Sequence, residues 1–89
     1  MTTRSVGVVI AARNAGATIG AAVGSALRCA QVSELVVVSD GSADGTAAAA
    51  AGAASGDDRL RVLSLASNVG PAEARNRGMA MLTTDLVAV

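Results

Sequence analysis

The sequence lacks several residue types that common functional sites need: its 89 residues include no phenylalanine, tyrosine, tryptophan, histidine or lysine, and only one cysteine. With Cys29 as the single cysteine and no histidine, an internal disulfide is excluded and a zinc site is not expected. Without lysine the chain cannot carry the phosphate-loop motif G-x-x-x-x-G-K-[ST]. Without aromatic side chains each buried residue contributes little apolar area, so we expect marginal stability for these residues alone.

The charges are balanced, with seven arginines against seven acidic residues. Because basic and acidic residues alternate and no aromatic ring is present to stack on bases, nucleic-acid binding is not expected. No apolar run is long enough to span a bilayer, and the first residues do not resemble a signal peptide. The expectations are a cytoplasmic setting and a Cys29 that serves as a small buried apolar residue of a helix.

Four short apolar segments alternate with helical patterns along the chain. Strands are predicted at 5–10, 34–39, 61–66 and 86–89, and helices at about 17–30, 46–54 and 71–82. Asn14 is expected to cap the first helix, and Pro71 to occupy the first position of the third. Such alternation predicts an α/β class, a Rossmann-like parallel sheet with flanking helices in the order βαβαβαβ. Because no helix follows the last strand, we expect residues 1–89 to be an incomplete domain, the N-terminal half of a larger enzyme domain.

The segment from Val36 to Thr46 has the clearest functional pattern. It is a β-branched run that ends in Asp40 and Gly41 before an alanine-rich helix. Ligands of parallel α/β sheets bind at the carboxyl ends of strands, where this pattern places Asp40. The same residues also suit an ordinary turn, with Ser42 or Asp44 as a helix cap. Since no G-x-G-x-x-G follows the first strand, dinucleotide binding of the usual kind loses support.

Four blocks in order resemble the N-terminal segment of family 2 glycosyltransferases, the nucleotide-sugar enzymes of the GT-A fold. They are V-V-I-A-A-R-N at 8–14, V-V-S-D-G-S-A-D-G-T at 37–46, the strand at 58–63, and N-V-G-P-A-E-A-R-N-R-G at 68–78. The resemblance implies an enzyme that transfers a sugar from a UDP- or dTDP-type donor to an acceptor hydroxyl with inversion. It also implies that this piece supplies the nucleobase pocket and is not active alone.

The resemblance implies a nucleotide-binding set of six residues: Ala11, Ala12, Arg13, Asp40, Gly41 and Arg75. Asp40 would accept the imide N–H of uracil or thymine in a charge-assisted hydrogen bond, and backbone groups of Ala11 and Ala12 would line the base. Three differences from the family pattern concern the same pocket, and one of them is Ala11 in place of the family's proline. Ser39 stands in place of the family's first aspartate, and Arg13 replaces a tyrosine, so that its planar guanidinium could lie over the base.

Two interpretations of Arg75 remain open from the sequence. It could lie near the diphosphate, or it could belong to a solvated helix face on which Glu73 and Arg77 form an i, i+4 pair. The sequence does not separate these alternatives.

The resemblance also implies groups that this chain does not contain. A D-x-D motif holding Mg²⁺ or Mn²⁺ and a general base are both expected beyond Val89, so the piece is expected to hold no metal and no catalytic residue. The implied partners are a nucleotide-diphosphate sugar and an unknown acceptor, with self-association possible through the exposed sheet edge. Two alternatives are a stand-alone Rossmann-like nucleotide-binding or interaction module without catalysis, and a structural fragment that binds nothing.

Overall fold

The computed structural model describes residues 6–41, 45–83 and 86–88. Strands and helices alternate in the predicted order: β1 (Val6–Ala12), α1 (Ile19–Leu27), β2 (Val32–Asp40), α2 (Thr46–Ala54), β3 (Leu60–Leu65), α3 (Pro71–Met79) and β4 (Leu86–Ala88). Pro71 opens α3, as its fixed φ and missing N–H favour. Among these described elements, none has the length and apolar character needed to cross a membrane.

The described strands form one parallel sheet with the order β3-β2-β1-β4. The register pairs Val8 with Leu35 and Ala12 with Ser39, and on the other side of β2 it pairs Ser39 with Ser64. The α/β, Rossmann-like prediction is therefore confirmed. Because β1 and β2 are adjacent and end at the same level, their carboxyl ends form the centre of one edge of the sheet.

The central strand β2 is covered on both faces, and residues 35–40 are all buried. Its side chains alternate: Leu35 and Val37 pack with α1 and α2, whereas Val36 and Val38 pack with α3. This explains the continuous apolar run, since a strand with helices on both sides has no solvent face. Asp40 follows Val36 and Val38 by the same alternation, so its side chain lies on the α3 face.

Gly78 brings α3 close to the sheet. A Cβ atom at this position would lie 2.6 Å from Val9 Cγ1 and 2.8 Å from Val38 Cγ2. Both atoms belong to β-branched side chains of the sheet. The last glycine of the fourth sequence block is therefore explained by packing. The close approach also holds the middle of α3, including Arg75, beside β1.

Two local predictions around α1 are wrong. The helix begins at Ile19 after the N-cap residue Thr18, and Asn14 instead has a left-handed backbone conformation with φ of 52°. Cys29 is exposed, because α1 ends at Leu27 and the chain turns away before β2. The helical pattern of the sequence continues to about residue 30, but contacts from a distant part of the chain end α1 at Leu27.

Arg59 makes those contacts at the end of the sheet opposite the carboxyl ends of β1 and β2. Its guanidinium donates to the carbonyl oxygens of Leu27 at 2.7 Å and Val32 at 2.8 Å, and it pairs with Asp57 at 2.7 Å. A cation at the carboxyl end of α1 complements the helix dipole. Arg59 thus joins the end of α1 to the start of β2.

Acid should weaken this junction. The side-chain hydrogen bond from Arg59, together with its backbone N–H, lowers the pKa of Asp57 from 3.8 to about 2. A carboxyl group whose pKa is lowered by folding stabilises the protein above its unfolded pKa, and that contribution disappears as the pH falls from about 4 towards 2. The thermal unfolding temperature of Asp57→Asn should therefore change less with pH in this range than that of the wild type. Asp58→Asn, which removes the neighbouring exposed carboxyl group, is the matched control; an identical pH dependence of Asp57→Asn and wild type would contradict the prediction.

Candidate functional site

The carboxyl ends of β1 and β2 form a cleft with a volume of about 300 Å³. Ala12 pairs with Ser39 in the sheet, so Arg13 and Asp40 leave the two strands at the same level. The cleft is lined by six residues: Ala11, Ala12, Arg13, Asp40, Asn68 and Pro71. Four of the predicted site residues therefore lie together, and the β3–α3 loop supplies the other wall.

The carboxylate of Asp40 is almost completely buried, with 3% of the residue exposed. It accepts hydrogen bonds from the backbone N–H of Val69 at 2.7 Å, the backbone N–H of Gly70 at 3.0 Å and the Asn68 side-chain amide at 2.9 Å. The bond from Val69 reaches Oδ1, and the other two reach Oδ2. Asp40 therefore fixes the β3–α3 loop against the tip of β2.

This arrangement places a carboxylate directly before α3. Gly70 is the N-cap residue of that helix and has no side-chain capping group of its own. An anion at this position interacts favourably with the helix dipole, and the three N–H donors hold it in one orientation. Because an ionised carboxylate has about four acceptor positions, three occupied positions leave Oδ1 with room for one further donor.

Gly41 forms the tight turn after Asp40, with φ of 66°. A Cβ atom here would lie 2.5 Å from the backbone nitrogen of Asn68 and 2.8 Å from the carbonyl carbon of Ser67. The absence of a side chain lets the β3–α3 loop approach β2 closely enough to bond to Asp40. Gly41 therefore lies against the backbone of the loop that forms the cleft wall. It is not one of the residues that line the cleft.

Arg75 of α3 lies beside the carboxyl-terminal part of β1. It lines a second cavity of about 440 Å³ together with Val9, Ile10 and Ala11, so Ala11 borders both cavities. Within the described ranges, neither Arg75 nor Arg13 takes part in an ion pair. The predicted surface pair is confirmed: Arg77 Nε lies 2.9 Å from the Glu73 carboxylate, and both side chains are about half exposed.

Two contacts of the site were not predicted from the sequence. Asn68 and Pro71 line the cleft, and Thr46 accepts a hydrogen bond from the backbone N–H of Ala15 at 2.9 Å. The hydrogen bonds from Asn68 to Asp40 and from Ala15 to Thr46 each join segments that lie about 30 residues apart in the sequence. Local patterns do not carry such pairings, although a glycine such as Gly41 is the residue type that a close backbone approach requires. The predicted capping positions Ser42 and Asp44 lie outside the described residues.

Comparisons with known proteins agree with this architecture. Residues 7–89 match the family described as "Glycosyl transferase family 2". The chain is 43% identical over 82 residues to succinoglycan biosynthesis protein ExoU of Rhizobium meliloti strain 1021, covering 92% of this chain and 24% of that protein.

Two solved structures superpose with a TM-score of 0.78 at 30% identity over 94% of this chain. One is glucosyl-3-phosphoglycerate synthase of M. tuberculosis, of which 33% is covered, and the other is described as a mycobacterial protein, of which 29% is covered. The chain thus spans about a quarter to a third of the length of these relatives. The match over residues 7–89 shows that this chain belongs to glycosyltransferase family 2.

Proposed function

We propose that this chain is the nucleotide-binding part of a GT-A domain, in a protein that transfers a sugar from a UDP- or dTDP-type donor to an acceptor hydroxyl with inversion. Family membership supports the reaction class. The observation that carries the donor assignment is the buried Asp40 carboxylate in the cleft between β1 and β2. Three donors already hold this carboxylate in place, so its position is fixed before any ligand arrives.

Asp40 recognises the base through its remaining acceptor position. Uracil and thymine present one imide N–H between two carbonyl groups, which matches a carboxylate oxygen with room for a single donor. Cytosine and adenine have a ring-nitrogen acceptor at the corresponding position, which a carboxylate repels. The backbone of Ala11 and Ala12 lines the base, and the exposed guanidinium of Arg13 is within the same cleft wall.

Arg75 contributes positive charge for the diphosphate. Its cavity adjoins the base cleft at Ala11, and it has no ion-pair partner among the residues that the structure describes. A planar guanidinium forms paired hydrogen bonds with phosphate oxygens. The nucleotide would therefore extend from Asp40 across Ala11 towards Arg75.

The described residues do not fit a metal site. No group of three or more His, Cys, Asp or Glu side chains in this part of the chain could hold a metal ion. If the reaction uses Mg²⁺ or Mn²⁺, we propose that the ligands come from residues that follow Val89, and the chemistry assigned to this chain is limited to holding the base and the phosphates.

A nucleotide affinity series tests the donor assignment. With the full-length protein, calorimetric titration should give tight binding of UDP and dTDP. Binding of CDP, ADP and N3-methyl-UDP should be at least about tenfold weaker, the change expected when one charge-assisted hydrogen bond is lost. N3-methyl-UDP is the closest control, because it removes only the imide proton and adds one methyl group. Equal affinity for UDP and CDP would contradict the assignment.

A further inference from the structure

The side chain of Thr46 lies outside the nucleotide cleft but is bonded to the loop that leads out of it. Thr46 is the first residue of α2 and is completely buried. Its Oγ1 accepts the backbone N–H of Ala15, which belongs to the loop between β1 and α1. A buried hydroxyl that bonds to a distant loop fixes the position of that loop.

Ala15 in turn connects this contact to α1. Its carbonyl oxygen accepts the backbone N–H groups of Thr18 at 3.0 Å and Ile19 at 2.8 Å. On the other side of the loop, the sheet fixes Ala12 through its pairing with Ser39. Only two residues, Arg13 and Asn14, lie between these two fixed points.

The short span limits where Arg13 can be. Asn14 already adopts a left-handed conformation, with φ of 52°, to close the span. Because both ends are held, the backbone of Arg13 has little freedom, and its side chain starts from a defined point on the cleft wall. We propose that Thr46 is a positioning residue for nucleotide binding, which acts by holding Arg13 at the cleft. This inference rests on the proposed nucleotide site.

A double-mutant cycle in the full-length protein tests the proposal. UDP affinity is measured for the wild type, Thr46→Val, Arg13→Ala and the double variant. Valine keeps the size and β-branching of threonine but removes the acceptor for Ala15 N–H. Thr46→Val should weaken UDP binding by about fivefold, the change typical of one lost neutral hydrogen bond. In the Arg13→Ala background the same substitution should have little effect, because the residue that it positions is already absent.

Conservative rescue is the second arm of the test. Thr46→Ser retains the hydroxyl and should bind UDP about as tightly as the wild type. Amide hydrogen exchange supplies a readout that does not depend on the ligand: exchange at Ala15 should be faster in Thr46→Val, with Val36 and Val37 of the central strand unchanged. If Thr46→Val folds poorly, Thr46→Ala compared with Thr46→Ser provides the same contrast.

Each outcome decides one of the two proposals. Equal weakening by Thr46→Val with and without Arg13, or no weakening at all, would overturn the positioning role of Thr46. If the wild type showed no preference for UDP over N3-methyl-UDP, the proposed base site itself would fail, whatever the effect of Thr46→Val. A preference for UDP together with additive single variants would leave the base site standing and remove only the positioning inference.

Discussion

Replacing Asp40 with alanine should weaken UDP binding by roughly 1.5–3 kcal/mol, which is about 10- to 150-fold in dissociation constant. The base would lose its charge-assisted acceptor, and the loop that forms the opposite wall of the cleft would lose its anchor. Three donors of that loop, from Asn68, Val69 and Gly70, now end on this carboxylate. We therefore expect a second effect, a decrease of about 2 kcal/mol in the free energy of unfolding. Titration calorimetry and thermal unfolding of the full-length protein measure the two effects separately.

Two further variants separate the roles of Asp40. Asn68→Ala removes one hydrogen bond to the carboxylate but leaves the carboxylate in place, so the preference for UDP over N3-methyl-UDP should persist. Asp58→Ala removes an exposed carboxyl group near the opposite end of the sheet and should change neither binding nor stability appreciably. If Asp40→Ala bound UDP as tightly as Asp58→Ala does, the proposed base contact would be wrong.

Replacing Gly41 with alanine should destabilise the protein by about 2–4 kcal/mol, through a left-handed backbone conformation and a collision with the neighbouring loop. The added Cβ would lie 2.5 Å from the backbone nitrogen of Asn68, and a backbone cannot move aside as the end of a flexible side chain can. Relief of this contact requires the β3–α3 loop to move away from β2. Because the same loop bonds to Asp40, UDP affinity should decrease together with stability.

Gly56 provides a matched control for the collision. It also has a positive φ, of 82°, but a Cβ atom there would meet no atom within 4 Å. Gly56→Ala should therefore show only the conformational cost, roughly 1–2 kcal/mol. Chemical denaturation of both variants gives the comparison. A Gly41→Ala protein no less stable than Gly56→Ala would show that the close approach of the loop is not needed.

The order of the elements was predictable because it depends on local patterns. Apolar β-branched segments and helical segments of the right length alternate, and parallel connections then fix the sheet class. The rule that ligands bind at the carboxyl ends of parallel strands predicted the position of Asp40, whereas the family resemblance implied that Ala11 and Ala12 lie beside it. The structure places Asp40 at the end of β2, as the sequence predicts, while its contact with a ligand stays a prediction.

The remaining features depend on contacts between segments that are distant in the sequence. The end of α1 follows from the bond between Leu27 and Arg59, which an apolar periodicity cannot indicate. The exposure of Cys29 depends on the same helix end, so the apolar periodicity could not indicate it either. The three donors on Asp40 join the β3–α3 loop to the end of β2, and the bond between Thr46 and Ala15 joins the start of α2 to the β1–α1 loop. Such pairings of distant segments are decided by the tertiary structure. The position of the cleft was therefore predictable from the sequence, but the hydrogen bonds that hold its walls were not.

In the proposed complex a pyrimidine imide binds the one remaining acceptor position of Asp40, between the ends of β1 and β2. A crystal structure of the full-length protein with UDP tests it most directly, through the distance from uracil N3 to the Asp40 carboxylate. We expect an N···O distance of about 2.7–3.2 Å to Oδ1, with the loop contacts from Val69 and Gly70 still in place. A uracil ring bound elsewhere, or bound here with a carbonyl oxygen facing Asp40, would contradict it.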